Sequence, residues 1–183
     1  MLSFLTIHFN YNYWVLFFMS RKEIAFEEIA LLTAKLMAAS AKTAPKAKGI
    51  DNVSIRILYR KDELNKLAEK MEELAVEYGS FYARDAKNIR ESDVVVVLGC
   101  KITGFNIKQP RIWNINIDEV LSLLNLGIAL GSAVKTASIH NVDNRIMLSA
   151  GVAAQELGLI DADIAIAVPL SIRGKNIFFD RKR

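Results

Sequence analysis

The sequence predicts an α+β domain with α/β character, in which a mixed central sheet is flanked by helices. Three observations carry that expectation. Asp93 to Gly99, DVVVVLG, is a continuous β-branched run of the kind found in strands covered on both faces. Residues 20–44 and 116–138 repeat apolar residues at helical spacing, and strand-like runs alternate with such segments along the chain. At 183 residues with no internal repeat or low-complexity linker, the chain suits one continuous core from residue 19 to residue 183, needing neither disulfide nor structural metal.

The first eighteen residues, MLSFLTIHFNYNYWVLFF, stand apart because they contain no Lys, Arg, Asp or Glu and are crowded with aromatics. His8, Asn10 and Asn12 interrupt them, and Arg21 and Lys22 follow rather than precede them, so neither a bilayer span nor a signal peptide fits well. Three readings stay open: upstream sequence ahead of a natural start at Met19, an added packing or interaction segment, and a membrane anchor. From Ser20 to Ala44, Ile24, Ile29, Leu32, Leu36 and Ala39 mark one helix face, with acidic residues early and lysines late as the helix dipole favours. Pro45 ends that helix, and Gly49 supplies backbone freedom in the following TAPKAKGIDN loop.

Val53 to Tyr59 reads as a strand, followed by a helix capped by Asp62 and ended by Gly79, with Leu64, Leu67, Met71, Leu74 and Tyr78 as its apolar stripe. ARDAKNIRES adds at most a short helical turn before the strand at 93–99. Strand, helix, strand in that order predicts a βαβ unit with parallel pairing and a right-handed crossover. Lys101 to Ile117 reads as an ordered but irregular excursion, as a surface loop or as a cover over a ligand.

Asn116 and Glu119 have the spacing of a capping box for a helix to about Ser138. On it, Gly127 and Gly131, four apart, leave a groove for close backbone approach. Asp143 or Asn141 is placed to cap the next helix, with Ile146, Met147, Ala150, Ala154 and Leu157 apolar and Gly158 at its end. Ala162 to Val168 is the last clear strand, leading to Pro169 and the SIRGKN loop.

Composition narrows the function classes. The net charge of +4 is mild, and basic residues are not interleaved with aromatics, so no nucleic-acid surface is expected. Of two histidines, only His140 lies beyond the leader, between helices where turn capping accounts for it. Asp161 and Asp163 flank a strand start as ordinary turn residues, no metal-ligand spacing is visible, and neither a Walker loop nor a GxGxxG is present. Cys100 is the single cysteine, which excludes an internal disulfide and reads as a small buried hydrophobe at a strand end.

In its position after an N-terminal helix, TAPKAKGIDN resembles a loop of flavin-dependent nitroreductases that combines a helix-ending Ala-Pro, a small residue and an Asn. The block from Leu126 to Phe179 resembles the helix, turn, helix and strand of the nitroreductase-like core. More closely, TAPKAKGIDN with IALGSAVKTAS, HNVDNRIM, SAGVAA, GLIDADI and GKNIFFDR resembles a prokaryotic family described as ferredoxin-domain-containing proteins, over roughly Arg21 to Arg181. Members of that family commonly carry clustered cysteines between the strand at 94–98 and the following long helix. This chain departs there, having only Cys100, so an iron-sulfur cluster with its roughly four thiolates is not expected.

The nitroreductase resemblance implies FMN, a reduced nicotinamide as electron donor, and a homodimer whose long helices cross near Gly127 and Gly131, while the single cysteine makes an intracellular, cytoplasmic protein the easier reading. A flavin asks its protein for a phosphate contact, an apolar slot and a few polar partners for the pyrimidine edge. Lys46 and Lys48 are candidates for the phosphate or ring edge, Asp51 and Asn52 for the ribityl chain or pyrimidine, and Lys175 with Arg181 for a phosphate clamp. Lys135 joins them as a charge on an otherwise small and apolar helix. The Arg-Arg-Ser phosphate signature of nitroreductases is not reproduced; Ser20, Arg21 and Lys22 are the nearest basic cluster. The alternative expectation is a non-catalytic dimeric scaffold that keeps the fold but has lost both cluster and flavin.

Overall fold

The structure, a computed structural model, describes residues 24–179. The leader, Ser20 to Lys22 and Arg181 therefore lie outside the described residues. The elements run α1 (Phe26–Thr43), a single 3-10 turn (Ala47–Gly49), β1 (Val53–Leu58), α2 (Lys61–Tyr78), α3 (Phe81–Glu91), β2 (Val94–Cys100), α4 (Ile117–Ile139), β3 (Asp143–Asn144), α5 (Leu148–Glu156) and β4 (Ile164–Ser171). The sheet order is β1-β2-β4-β3. Its two faces are covered separately, by α1 and α4 on one side and by α2, α3 and α5 on the other. Every residue of β2 is buried, as its unbroken β-branched run requires.

All strand pairs among the described residues are antiparallel, so the expected mixed sheet and parallel βαβ unit are corrected. The reason is a count of helices. ARDAKNIR belongs to an eleven-residue helix rather than a short turn. With two helices packed against each other between β1 and β2, the chain reverses direction one extra time and re-enters the sheet antiparallel to β1.

Other boundaries also move. Helix α2 begins at Lys61, with the Glu63 carboxylate accepting from the Arg60 N–H at 3.3 Å, so Asp62 lies inside the first turn instead of capping it. Leu64, Leu67 and Met71 are buried as the stripe predicts, but Tyr78 is exposed. Neither Asn141 nor Asp143 caps α5: the chain stays extended through β3, Met147 exchanges backbone hydrogen bonds with Ala167, and the helix starts only at Leu148. Strand β4 runs on through Pro169 to Ser171.

Helix α1 forms where its periodicity predicts, but it packs by its small face. Its buried positions are Ala30, Thr33, Ala34, Met37 and Ala41, whereas Ile24, Ile29, Leu32 and Leu36 face outward. Small side chains let α1 approach α4 closely, and Ser40 sits between Ser132 and Thr136 at 3.0 and 2.6 Å. The helices run antiparallel, because the loop after α1 meets α4 again nearer its N-terminus, at Asn125. Helix α4 is long and apolar enough to cross a membrane by length and composition, but one face of it covers the sheet.

Candidate functional site

The loop between α1 and β1 is built by satisfying a helix end. Ala44 is extended ahead of Pro45, which leaves the last carbonyls of α1 without helical partners. The Lys46 ammonium donates to the carbonyls of Ala41, Lys42 and Ala44 at 3.1, 2.9 and 2.9 Å, and its side chain is only 5% exposed. Lys46 is thus a cationic cap on the negative end of the helix. Lys48 and Gly49 follow with φ of 52° and 70°, so the freedom of Gly49 is used and a lysine accepts the left-handed conformation beside it.

Asn125, in the third turn of α4, locks this loop. Its side chain is buried; Oδ1 accepts from the Ala47 N–H at 2.7 Å, and Nδ2 donates to Asn52 Oδ1 at 2.9 Å. Asn52 in turn donates to the Lys101 carbonyl at 2.7 Å. Lys48 reaches across to the Phe105 carbonyl at 3.0 Å, while Asp118 and Ser122 accept from the N–H groups of Phe105 and Thr103. The first turns of α4 therefore hold both the 46–52 loop and the start of the 101–116 excursion. Sequence reading missed Asn125, Asp118 and Ser122; a lone Asn in the apolar run LSLLNLGIAL was the available signal.

Asp51 pairs with Lys42 and lies 3.9 Å from Lys46. Burial pushes its carboxyl up, but hydrogen bonds from Lys42 and the Val53 N–H, with the charges of Lys42 and Lys46, outweigh that and hold it below the usual carboxylate value. Lys135 is exposed on the outer face of α4, on the stripe that carries Leu124, Gly127, Ile128 and Gly131. A Cβ added at either glycine meets nothing within 4 Å, so the groove they leave is open among the described residues. Lys175 follows β4 and is exposed at the end of the sheet where Val94 meets Leu170; the 46–52 loop sits at the other end, where Val53 meets Cys100. Those ends are about 20 Å apart, the span of six strand residues. One chain brings together Lys46, Lys48, Asp51 and Asn52, and leaves Lys135 and Lys175 away from them. His140 is the exposed C-cap residue of α4.

A shallow depression of about 520 Å³ lies instead beside the end of α5, lined by Gln155, Gly158, Ile160 and Ala162 with the acidic Glu156 and Asp161. Its carboxylates disfavour a phosphate. No cluster of three or more metal-ligating side chains occurs among the described residues.

Several solved structures are similar to this fold. The hypothetical oxidoreductase YcnD from Bacillus subtilis matches with a TM-score of 0.56 at 12% identity, covering 86% of this chain and 61% of its own. The NADPH:FMN oxidoreductase from Vibrio harveyi gives 0.56 at 11%, covering 79% and 60%. A BluB-like flavoprotein from Clostridium difficile 630 gives 0.53 at 17%, covering 90% and 88%. The chain thus spans about three fifths of the first two and most of the third, and the fold is nitroreductase-like.

Within that fold the sequence match is more specific. Residues 119–181 match the family described as uncharacterized protein containing a ferredoxin domain. An uncharacterized protein of Archaeoglobus fulgidus is 38% identical over 167 residues, 82% of this chain and 90% of the relative. The chain belongs to this family. The ferredoxin in the family's description does not fit the residues present: Cys100 is the only cysteine, it is fully buried, and burial, with the Asp163 charge, pushes its thiol up and keeps it protonated. A cluster needs about four thiolates, and even two chains together supply two.

Proposed function

We propose that this protein is a cytoplasmic, homodimeric FMN-binding oxidoreductase, with the subunits meeting through the outer face of α4 around Gly127 and Gly131. The observation that carries the reading is the nitroreductase-like fold over most of the chain, shared with a BluB-like flavoprotein and an NADPH:FMN oxidoreductase. When bound, FMN supplies the redox chemistry, accepting two electrons as hydride from a reduced nicotinamide and returning them with protons to a small acceptor. This chain's residues bind and orient. Lys48 is the exposed cation of the 46–52 loop, Asp51 and Asn52 present polar groups beside it, and Lys135 and Lys175, with Arg181, supply further positive charge for a phosphate. Lys46 serves by shaping the loop, since its ammonium is committed to the helix end.

Two features support the dimer. The outer faces of α1 and α4 expose Leu32, Leu124 and Ile128 among several large apolar side chains, and exposed apolar side chains gathered on one face mark where partners dock. The open glycine groove lies in the middle of that face. The test is the visible spectrum of the purified full chain, before and after adding FMN and gel-filtering. Flavin bands near one per chain are expected. Protein that stays colourless after FMN addition removes the reading.

One observation favours a second function, the non-catalytic scaffold. The loop's polar groups are largely spent inside the chain: Lys46 on α1, Lys42 on Asp51, and Asn52 on Asn125 and Lys101. On that reading the same dimer forms and no flavin is retained.

A further inference from the structure

We propose that two copies of this chain pair with their α4 helices antiparallel, so that the 107–115 tip of each copy covers the outer face of α1 in the other. This rests on the homodimer proposed above but goes beyond it by fixing the orientation and naming the second contact.

Among the described residues, each chain leaves two apolar regions exposed at opposite ends of the same face. One is the tip of the 101–116 excursion, where a turn closed by the Trp113 N–H on the Pro110 carbonyl at 3.1 Å displays Ile112, 86% exposed. Gln109 braces the turn, donating to the Trp113 carbonyl and accepting from the Ile117 N–H, so the apolar tip is held out by a built structure. The other is the outward stripe of α1 from Ile24 to Leu36. The tip sits at the N-terminal end of α4. Because α1 and α4 are antiparallel, the N-terminal half of α1 sits at the C-terminal end of α4.

A single chain cannot bring these regions together, but a two-fold axis near Gly127 and Gly131 can. If the α4 helices cross antiparallel, the tip of one copy lies over α1 of the other, and the contact repeats reciprocally. If they cross parallel, tip faces tip and α1 faces α1. Charge decides between the two. Residues 101–117 contain Lys101, Lys108 and Arg111 and no carboxylate. The first turn of α1 carries Glu27 and Glu28. Lys108, Arg111, Glu27 and Glu28 are all exposed and make no ion pair among the described residues. The antiparallel arrangement sets opposite charges together at both ends, and the parallel one sets like charges together at both ends.

The same orientation carries Lys135 of one copy toward the end of the molecule where Lys48 of the other stands. Through the Lys48 and Asn52 contacts with Phe105 and Lys101, it also makes the candidate cofactor loop sensitive to the partner.

The test is sedimentation equilibrium of the full chain in wild type, in K108E with R111E, in E27K with E28K, and in the variant carrying all four changes. Each pair should weaken the dimer at least tenfold at low salt, and the fourfold variant should recover most of that loss. Two losses that simply add, or a wild-type Kd in K108E with R111E, would overturn the arrangement. A wild-type Kd there is what the parallel crossing gives, because both copies reverse together and like charges still face each other; a wild type that stays monomeric overturns the arrangement as well. Circular dichroism checks that each variant is folded, and I112D probes the same contact without charge reversal of a basic residue. FMN retention is scored on the same samples. Charge coupling without flavin leaves this inference standing and removes the flavin reading, and flavin held by a monomer does the reverse.

Discussion

Gly151 in α5 is where the packing of this fold can be tested most sharply. A Cβ at that position would lie 2.2 Å from the Ala165 carbonyl oxygen and 2.6 Å from both the Ala165 carbonyl carbon and Ile166 Cα. All three are backbone atoms of β4, which is paired with β2 along seven residues and cannot rotate aside as a side chain would. To reach ordinary contact near 3.4 Å, α5 must lift from the sheet by about 1 Å. Overpacking of this kind costs about 1–3 kcal/mol, and the backbone contact argues for the upper end. Alanine returns up to about 1 kcal/mol of helix propensity, so Gly151→Ala should destabilise by about 2 kcal/mol net. Gly131→Ala is the control, because it makes the same change on a helix where nothing lies within 4 Å. It should leave the isolated chain unchanged or stabilise it by up to about 1 kcal/mol. Any concentration-dependent loss in that variant reports the subunit contact instead. Urea denaturation at several protein concentrations separates the two, with a lower midpoint and an unchanged slope expected for Gly151→Ala. Equal midpoints for the two variants would refute the close approach of α5 to β4.

Two further expectations follow from buried groups on either face of the sheet. Asp85, 4% exposed on α3, accepts from the fully buried Ser149 hydroxyl at 2.7 Å and from Arg84 at 2.9 Å. Asp85→Ala strands that hydroxyl and should cost about 2–3 kcal/mol, whereas Asp85→Asn keeps an acceptor and should cost about 1; urea midpoints that do not rank in this order would contradict the role. Cys100 has its thiol pushed above the usual value of 9.0 by burial and then by Asp163. A raised pKa in the fold means the native state keeps a proton that the unfolded chain has lost. The stabilisation is complete below about pH 9 and is lost as pH rises through the folded value. Native protein should resist thiol reagents at pH 8 until denaturant is added, and Cys100→Ala should flatten part of the alkaline stability loss. Rapid labelling of native protein would show that the thiol is not where the fold puts it.

How far the sequence reveals this fold depends on whether a local pattern also names its partner. The β-branched run of β2, the Leu64, Leu67 and Met71 stripe, and the Asn116 cap, whose side chain accepts from Asp118 and Glu119, are legible because each is set by its own neighbourhood. Helix α3 hides because its buried set is Tyr82, Asp85, Ala86 and Ile89: the spacing is helical, but a buried carboxylate and an alanine interrupt the hydrophobic signal. Missing that helix reverses the predicted direction of β2. In α1 the periodicity finds the large apolar face and cannot say that the alanine face is the inward one, since close approach to α4 is a tertiary fact. In the same way, Lys46 is legible as a charge beside a helix end, while the carbonyls that absorb it appear only once the chain turns at Pro45.

The same distinction bears on where a phosphate could be held. An anion at a loop is met first by backbone N–H groups, and those of Ala47, Gly49 and Ile50 are already bonded to Asn125, Lys46 and Ala47. Asn52 spends its amide on Asn125 and Lys101, and Asp51 is itself anionic. Of the loop's candidate cations, the one left near it in one chain is the Lys48 ammonium, which can exchange its single carbonyl contact for a stronger charged one. One lysine is a weak clamp for a phosphate. Lys135 and Lys175 stand elsewhere in the same chain, so a flavin site that joins Lys48 to either of them requires the second copy. Flavin retention should therefore fall with dilution along the same curve as the dimer, and a flavin stoichiometry that stays constant through dissociation to monomers would show that the phosphate is held by groups other than these.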